Sequence, residues 1–345
     1  MSKIVEQVSL PLPELLPNSR EQLMGAGKLM AKHQLGSSII TLMQADPSRA
    51  RERIYALYEN SVVQDATAPN SAKWDAEARS QDGFFGIRRV YGNSAGILIA
   101  GLLLSFLEVL ENVKSTGCAV PDQEFQELFQ GAASILSYCK NGTAEAIEKV
   151  SLPVAKERVT NFDPKLRWEV GHRLFFSLTQ GITAALSCFA TAMADGQMLH
   201  AIEAMRLATA LMEASRGALL FTSDFPKSSY SDDVRISMMP PYAAPGFSGV
   251  QGRDHQVLVG VLRGLRPVFG EINRDSYPYE EFKSATMRLH AAHEYVCAKF
   301  VGETRPSLLM EARGGNNSSR IGAASVVRQI NERRLRLIDP SLPKG

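Results

Sequence analysis

The strongest constraint on the fold is a long helical hairpin in the middle of the chain. Asp163 and Pro164 form a typical helix start, because an aspartate side chain caps free backbone amides and proline fits the first turn. Apolar residues then recur at helical spacing to about Ala194, where Asp195-Gly196 interrupts the pattern. Residues 198–220 predict an antiparallel partner helix. Two helices of this length are the usual scaffold of a helix bundle.

The rest of the chain is also mostly helical in pattern. Helical spacing of apolar residues predicts further helices at about residues 19–34, 47–60, 96–114 and 122–140. No segment sustains the apolar–polar alternation of a strand, so we predict an all-α fold. The polar residues 62–83 are expected to form a loop. Prolines exclude an α-helix at the start, so we expect an extended segment at 1–17 and one helical domain at 18–345.

Composition narrows the class of protein. The 345 residues are 45% hydrophobic and 21% charged, with a net charge of +2, which is typical of a globular protein. No basic tract interleaved with aromatic residues occurs, so nucleic acid is not an expected partner. Four widely spaced cysteines predict reduced thiols and a cytoplasmic location. No signal-peptide core is found at residues 1–18, and the apolar run 95–107 is too short for a bilayer, so no membrane partner is expected.

A helix predicted from Tyr279 to about Val301 carries a cluster of metal-binding side chains. His293 and Cys297 share one face, about 5–6 Å apart at Cβ, and His255 lies 38 residues before His293 in another predicted helix. A histidine here could ligate a haem iron while the cysteine bonds the porphyrin edge. Alternatively, these three residues and His290 could hold zinc. A third interpretation needs no ligand, with a buried cysteine and hydrogen-bonded histidines in the core.

The order of a histidine, a spacer of close to forty residues and His-xxx-Cys resembles a known haem-binding signature. It is that of the 3-methyl-L-tyrosine hydroxylases of saframycin-type biosynthesis, which are histidine-ligated haem-dependent aromatic oxygenases, like tryptophan 2,3-dioxygenase. The resemblance implies a helical bundle with the tryptophan 2,3-dioxygenase fold. It also implies haem b attached through a single thioether to Cys297. His293 would then be the proximal iron ligand, and His255 a labile distal ligand that leaves during catalysis.

The same resemblance implies a function. It is that of a monooxygenase that hydroxylates the ring of an aromatic amino acid, 3-methyl-L-tyrosine to 3-hydroxy-5-methyl-L-tyrosine, in antibiotic biosynthesis. The oxidant would be dioxygen with a reductant, or hydrogen peroxide, and a homo-oligomer is expected because such enzymes are commonly oligomeric. Two alternatives stay open, a non-catalytic bis-histidine haem protein and a ring-cleaving enzyme like tryptophan 2,3-dioxygenase.

A glycine-rich loop follows the haem-binding pattern at residues 311–320. Its glycines allow the backbone close to a ligand, and an arginine can bind a carboxylate through two hydrogen bonds. Tryptophan dioxygenases carry a similar loop that closes over the amino and carboxylate groups of their substrate. The resemblance implies substrate contacts from Arg313, Asn316, Ser318 and Ser319. The alternative is a surface loop before a helix.

Three other segments carry expectations. The proline- and glycine-rich residues 225–252 are either a wall over the distal side of the site or a simple crossover. The helix of His255 is expected to end near Pro267, since proline disrupts a helix. His172 is interpreted as a core histidine. The basic run 333–336 is interpreted as a solvated helix face.

Overall fold

The computed structural model describes residues 7–65, 76–145, 162–249, 252–272, 277–302, 305–312 and 322–342. Within these ranges the helices are α1 Arg20–Lys32, α2 Ser38–Ala45, α3 Pro47–Ser61, α4 Ala76–Phe85, α5 Ser94–Thr116, α6 Asp122–Asn141, α7 Pro164–Ala194, α8 Met198–Thr222, α9 Lys227–Ser229, α10 Arg235–Ser237, α11 Arg253–Glu271, α12 Tyr277–Phe300, α13 Leu308–Ala312 and α14 Ala323–Ile338. The strands are β1 Val8–Pro11, β2 Val62–Asp65 and β3 Ile87–Gly92. A π-helical turn at Tyr230–Val234 joins α9 to α10.

The predicted hairpin of α7 and α8 is the centre of the bundle. Asp163 caps α7 by accepting a hydrogen bond from the amide of Leu166 at 3.0 Å, as the sequence predicted. Gly196 reverses the chain with a φ of +70°, a backbone conformation that glycine adopts without strain. Helices α6 and α12 pack on α8, and α5 and α11 pack on α7. The prediction of an all-α bundle is confirmed.

Helices α5 and α7 form the core of the bundle. Both are long and apolar enough to cross a membrane, with mean hydropathies of 1.8 and 1.4 over their most apolar stretches. Those stretches are 83% and 78% buried inside the fold, as in the core helices of a globular protein. Buried Arg173 of α7 pairs with Glu108 of α5 at 2.8 Å, so the charges of these two buried side chains compensate each other.

A small sheet corrects the prediction that the chain has no strands. Strand β1 lies parallel to β3, with Val8 opposite Ile87, and β2 lies antiparallel to β3 with an irregularity between Val62 and Gln64. The strands have only four to six residues, which is too short for alternation to be distinguished from a loop. The sheet packs on α5 and does not change the fold class. The proposed domain boundary at residue 17 stays a prediction.

Two local predictions were wrong. Residues 62–83 are not all loop, since the described parts form β2 and most of α4. Helix α11 continues past Pro267 to Glu271. Its last turn is held by packing, because Phe269 is fully buried and stacks on Phe189 with ring centres 6.0 Å apart. This burial outweighs the single backbone hydrogen bond that proline removes.

A buried polar network joins the sheet to the start of α11. Arg89 of β3 binds Asp254 through two hydrogen bonds of 3.1 and 2.5 Å, and it also binds Asp82 of α4. Gln180 of α7 donates to Asp254 at 2.6 Å and to the carbonyl of Pro11 at 2.9 Å. The network therefore fixes the residue that immediately precedes His255.

Candidate active site

A cavity of about 570 Å³ lies between α7, α8, α11, α12 and α14. Its volume falls within the range of about 300–1,000 Å³ that is usual for ligand and cofactor sites. Most of the side chains around it are aliphatic or aromatic. Segment 230–249 closes part of it through residues that include Tyr230 and Phe247. Of the two interpretations of residues 225–252, the described part therefore supports a cavity wall.

Helix α12 brings His290, His293 and Cys297 to this cavity, because these residues follow one another at intervals of three and four. Burial raises the pKa of the Cys297 thiol to about 12, with a smaller contribution from the carboxylate of Glu294. The thiol is therefore neutral near pH 7. Within the described residues, no hydrogen-bond partner is found for the imidazole of His293.

Helix α11 brings His255 to the same cavity from a different element. Its Nε2 accepts a hydrogen bond of 2.5 Å from Nη2 of Arg334, on α14. The structure thus brings His255 of α11 to the same cavity as His293 and Cys297, which lie one turn apart on α12. Their roles as iron ligands and thioether partner stay predictions.

The imidazoles around the cavity are neutral. Burial and the nearby guanidinium of Arg334 lower the pKa of His255 and of His290 to about 3. The same two causes lower the pKa of His293 to about 4. These three side chains are half-buried and line the cavity. Neutral imidazole is the form that binds a metal, so the site needs no proton release from these groups before it ligates one.

A cluster of aromatic rings holds His172, which also lines the cavity. Its ring stacks on Phe85 with centres 4.5 Å apart and lies 4.3 Å from the ring of Trp168. Its Nδ1 donates to the carbonyl of Trp168 at 2.8 Å, which leaves Nε2 as the acceptor nitrogen of the neutral ring. Burial lowers the pKa of His172 to about 4. His172 is therefore a rigidly held cavity residue as well as a core residue.

The predicted substrate-binding residues Arg313, Asn316, Ser318 and Ser319 lie outside the described residues. The helix before them, α13, contributes to the cavity lining. Glu311 of α13 forms an ion pair of 2.7 Å with Arg235, a buried residue of the cavity wall. Helix α13 therefore lies next to the cavity, and substrate contacts from the four residues stay a prediction.

Arg334 is the cavity residue that the sequence prediction placed wrongly. The run 333–336 was expected to be a solvated helix face, but of its four residues only Arg333 is exposed and the other three are half-buried. A signal was present in the sequence, because Arg334 lies four residues from Ile330 and four from Ile338. All three line the cavity.

The site fits a haem better than a bare zinc ion. The described residues contain no group of three or more histidine, cysteine or acidic side chains that could hold a metal ion, which argues against the zinc alternative. His255 and His293 instead approach one apolar cavity from two helices, with Cys297 one turn from His293. A large planar cofactor needs such separated ligands and apolar walls.

Comparison with known proteins gives the family. A family model for the SfmD 3-methyl-L-tyrosine peroxygenase matches residues 9–292. The chain belongs to this family. The range that matches the peroxygenase family contains His255 and ends one residue before His293. The resemblance inferred from the sequence motif is therefore confirmed at the level of the family, by a match that does not depend on His293 or Cys297.

A curated protein and a solved structure of the peroxygenase family are both similar to this chain. The 3-methyl-L-tyrosine peroxygenase of Streptomyces lavendulae is 31% identical over 255 residues, which are 73% of this chain and 69% of that protein. A crystal structure of reduced SfmD, soaked with sodium hydrosulfite, matches with a TM-score of 0.68 and 24% identity. The match covers 84% of this chain and 96% of that chain. The structural match confirms the helical fold.

Proposed function

We propose that this protein is a haem-dependent peroxygenase that hydroxylates the aromatic ring of a tyrosine derivative. The substrate would be 3-methyl-L-tyrosine and the product 3-hydroxy-5-methyl-L-tyrosine, in the biosynthesis of an antibiotic natural product. Hydrogen peroxide balances the reaction, since one of its oxygen atoms enters the ring and the other leaves as water. The names of the relatives support peroxide over dioxygen with a reductant.

The observation that carries the proposal is the meeting of His255, His293 and Cys297 at one apolar cavity in a member of this family. When bound, a haem would supply the redox chemistry that splits the oxygen–oxygen bond. His293 would hold the iron, and Cys297 would attach the porphyrin covalently. His255 would be a second, labile ligand of the iron. The apolar walls would exclude water from the aromatic ring.

The first test is an absorption spectrum followed by acid–acetone extraction. The wild-type protein, expressed with adequate haem supply, should show a Soret band, and its haem should stay with the protein after extraction. Cys297→Ala should release the haem. Cys188→Ala, a matched change at a buried thiol of α7 that does not line the cavity, should retain it. A colourless wild-type protein would refute the proposal.

Variants of the two histidines separate their roles. His293→Ala should bind haem poorly. His255→Ala should keep haem but change to a five-coordinate or water-ligated ferric spectrum, whereas His200→Ala, outside the cavity, should keep the wild-type spectrum. An unchanged low-spin spectrum in His255→Ala would remove His255 from the iron.

Product mass separates the remaining activities. One added oxygen atom in the product of 3-methyl-L-tyrosine and peroxide supports hydroxylation, and two added atoms support ring cleavage. No turnover by a haem-loaded protein supports a non-catalytic bis-histidine haem protein. We also propose a homo-oligomer in the cytoplasm, and light scattering after size-exclusion chromatography would test the assembly.

A further inference from the structure

Arg334 is a half-buried cation that lines the cavity and has no carboxylate partner among the described residues. The fully buried guanidinium groups that the structure describes each pair with acidic side chains, namely Arg89, Arg167, Arg173 and Arg235. Arg334 instead projects from the apolar stripe of α14 that lines the cavity. An uncompensated charge in such surroundings is unfavourable, so its retention at this position needs a reason.

Among the described residues, Arg334 makes a polar contact with the histidine that is proposed to bind iron. Its Nη2 donates to Nε2 of His255 at 2.5 Å. A neutral imidazole has one acceptor nitrogen, and Nε2 cannot accept this hydrogen bond and ligate a metal at the same time. The hydrogen bond from Arg334 and iron ligation through Nε2 of His255 therefore exclude each other. Loading of the cavity would release the guanidinium.

We propose that Arg334 is the carboxylate-binding residue of this cavity. When a ligand enters, its guanidinium leaves His255 and forms two parallel hydrogen bonds with a carboxylate of that ligand. The proposal rests on the proposed function, which places two sources of this chemistry in the cavity. One is a haem propionate and the other is the carboxylate of the amino-acid substrate.

Paired ligands with and without the carboxylate distinguish the two sources. In the first arm, full-length apoprotein is titrated with haemin and with haemin dimethyl ester, followed by absorbance. In the second arm, the haem-loaded protein is titrated by calorimetry with 3-methyl-L-tyrosine and with 3-methyltyramine, which has the same ring and amine but lacks the carboxylate. Wild type, Arg334→Gln and Arg333→Gln are compared in both arms. Arg333 is the matched control, since it neighbours Arg334 but is exposed.

Arg334→Gln should weaken binding of the carboxylate ligand by about ten- to a hundredfold in at least one arm. Binding of the ester or the amine in that arm should stay within about twofold of the wild type. Selective loss of haemin identifies the propionate, and selective loss of 3-methyl-L-tyrosine identifies the substrate carboxylate. Arg333→Gln should behave as the wild type in both arms.

Two results would overturn the inference. One is equal loss of both ligands of a pair, which indicates a purely structural role, and the other is no loss in either arm. Arg334→Lys provides a second variant if Arg334→Gln does not fold, because lysine keeps the charge but loses the two-point geometry. It should still show a smaller, carboxylate-selective loss. A wild-type protein that binds neither haemin nor 3-methyl-L-tyrosine would refute the proposed function itself.

Discussion

At the scale of single residues, burial decides the chemistry of the cavity. The imidazoles of four residues line it, namely His172, His255, His290 and His293. Burial is the largest cause of the lowered pKa of each. All four are neutral near pH 7 in the absence of a ligand. Burial raises the pKa of Cys297 to about 12 by the same physical cause, since a low-dielectric environment disfavours the charged form of any group.

These lowered pKa values make the apoprotein sensitive to acid. An unfolded histidine has its ordinary pKa of about 6.5 and takes up a proton that the folded side chain refuses. The unfolded state therefore binds more protons between pH 6.5 and the folded pKa of about 4 for His172, and stability falls as the pH falls through this window.

We predict that His172→Gln makes the fall in stability with falling pH less steep. One fewer buried histidine should reduce the slope of the free energy of unfolding against pH by up to about 1.4 kcal/mol per pH unit. Urea denaturation of the apoprotein at about pH 7, 6 and 5 measures the slope. A slope in His172→Gln equal to the wild-type slope would contradict a neutral buried His172.

At the scale of elements, the start of α11 depends on the Arg89 network. Asp254 is almost fully buried, and it joins α11 to β3 and α7 through Arg89 and Gln180. Since His255 follows directly, the position of this imidazole depends on the network. The partners are 74 and 165 residues away from Asp254, so no local pattern in the sequence could have predicted the pairing.

We predict that Asp254→Ala lowers the free energy of unfolding by roughly 3 kcal/mol, because it leaves part of the charge of buried Arg89 unpaired. Glu111→Ala is the comparison, since its ion pair with Arg51 is partly exposed, and it should cost at most about 1 kcal/mol. Urea denaturation of both apoprotein variants measures the difference. Losses of similar size would show that the Arg89 network is not the stronger of the two.

The close crossing of α6 and α8 depends on a glycine. A Cβ atom on Gly217 of α8 would lie 2.4 Å from the backbone oxygen of Glu124 of α6, whereas one on Gly260 of α11 would meet no atom within 4 Å. Gly217→Ala should therefore destabilise the protein by roughly 1–3 kcal/mol. Gly260→Ala should stabilise it by up to about 1 kcal/mol through helix propensity. Thermal denaturation measures both effects. If the two substitutions shift the melting temperature in the same direction, the close crossing at Gly217 is contradicted.

At the scale of the whole molecule, the cavity connects ligand binding to stability. Helices α7, α8, α11, α12, α13 and α14 and segment 230–249 all contribute to its lining, so a ligand that fills it contacts most of the bundle. A ligand that binds only the folded state stabilises that state by mass action. The haem-loaded protein should therefore melt roughly 5 °C or more above the apoprotein. Calorimetry measures both midpoints.

A thioether between Cys297 and the haem would make this gain in thermal stability permanent. After incubation with a haem acceptor such as apomyoglobin, the wild type should keep its higher midpoint, while Cys297→Ala should fall to that of the apoprotein. Cys188→Ala serves as the control for the loss of a buried thiol. A wild-type midpoint that falls with that of Cys297→Ala would contradict a thioether at this position.

Local physical chemistry was enough to predict the helical class, the hairpin and its caps, and the one-turn spacing of His293 and Cys297. Helix periodicity and capping depend on residues within a few positions of each other, so they can be read directly from the chain. The motif also predicted the family correctly. The short sheet and the last turn of α11 could not be predicted, because partners remote in sequence stabilise them.

Only the tertiary structure decided which residues share the cavity. It brought His255 to the same space as His293, made His172 a cavity residue, and turned Arg334 inward while Arg333 faces solvent. The physical reason is that burial and electrostatic environment belong to packed surfaces formed by several helices, not to any one segment. The sequence by itself determined which side chains could bind a haem, and packing determined which of them meet and in what charge state.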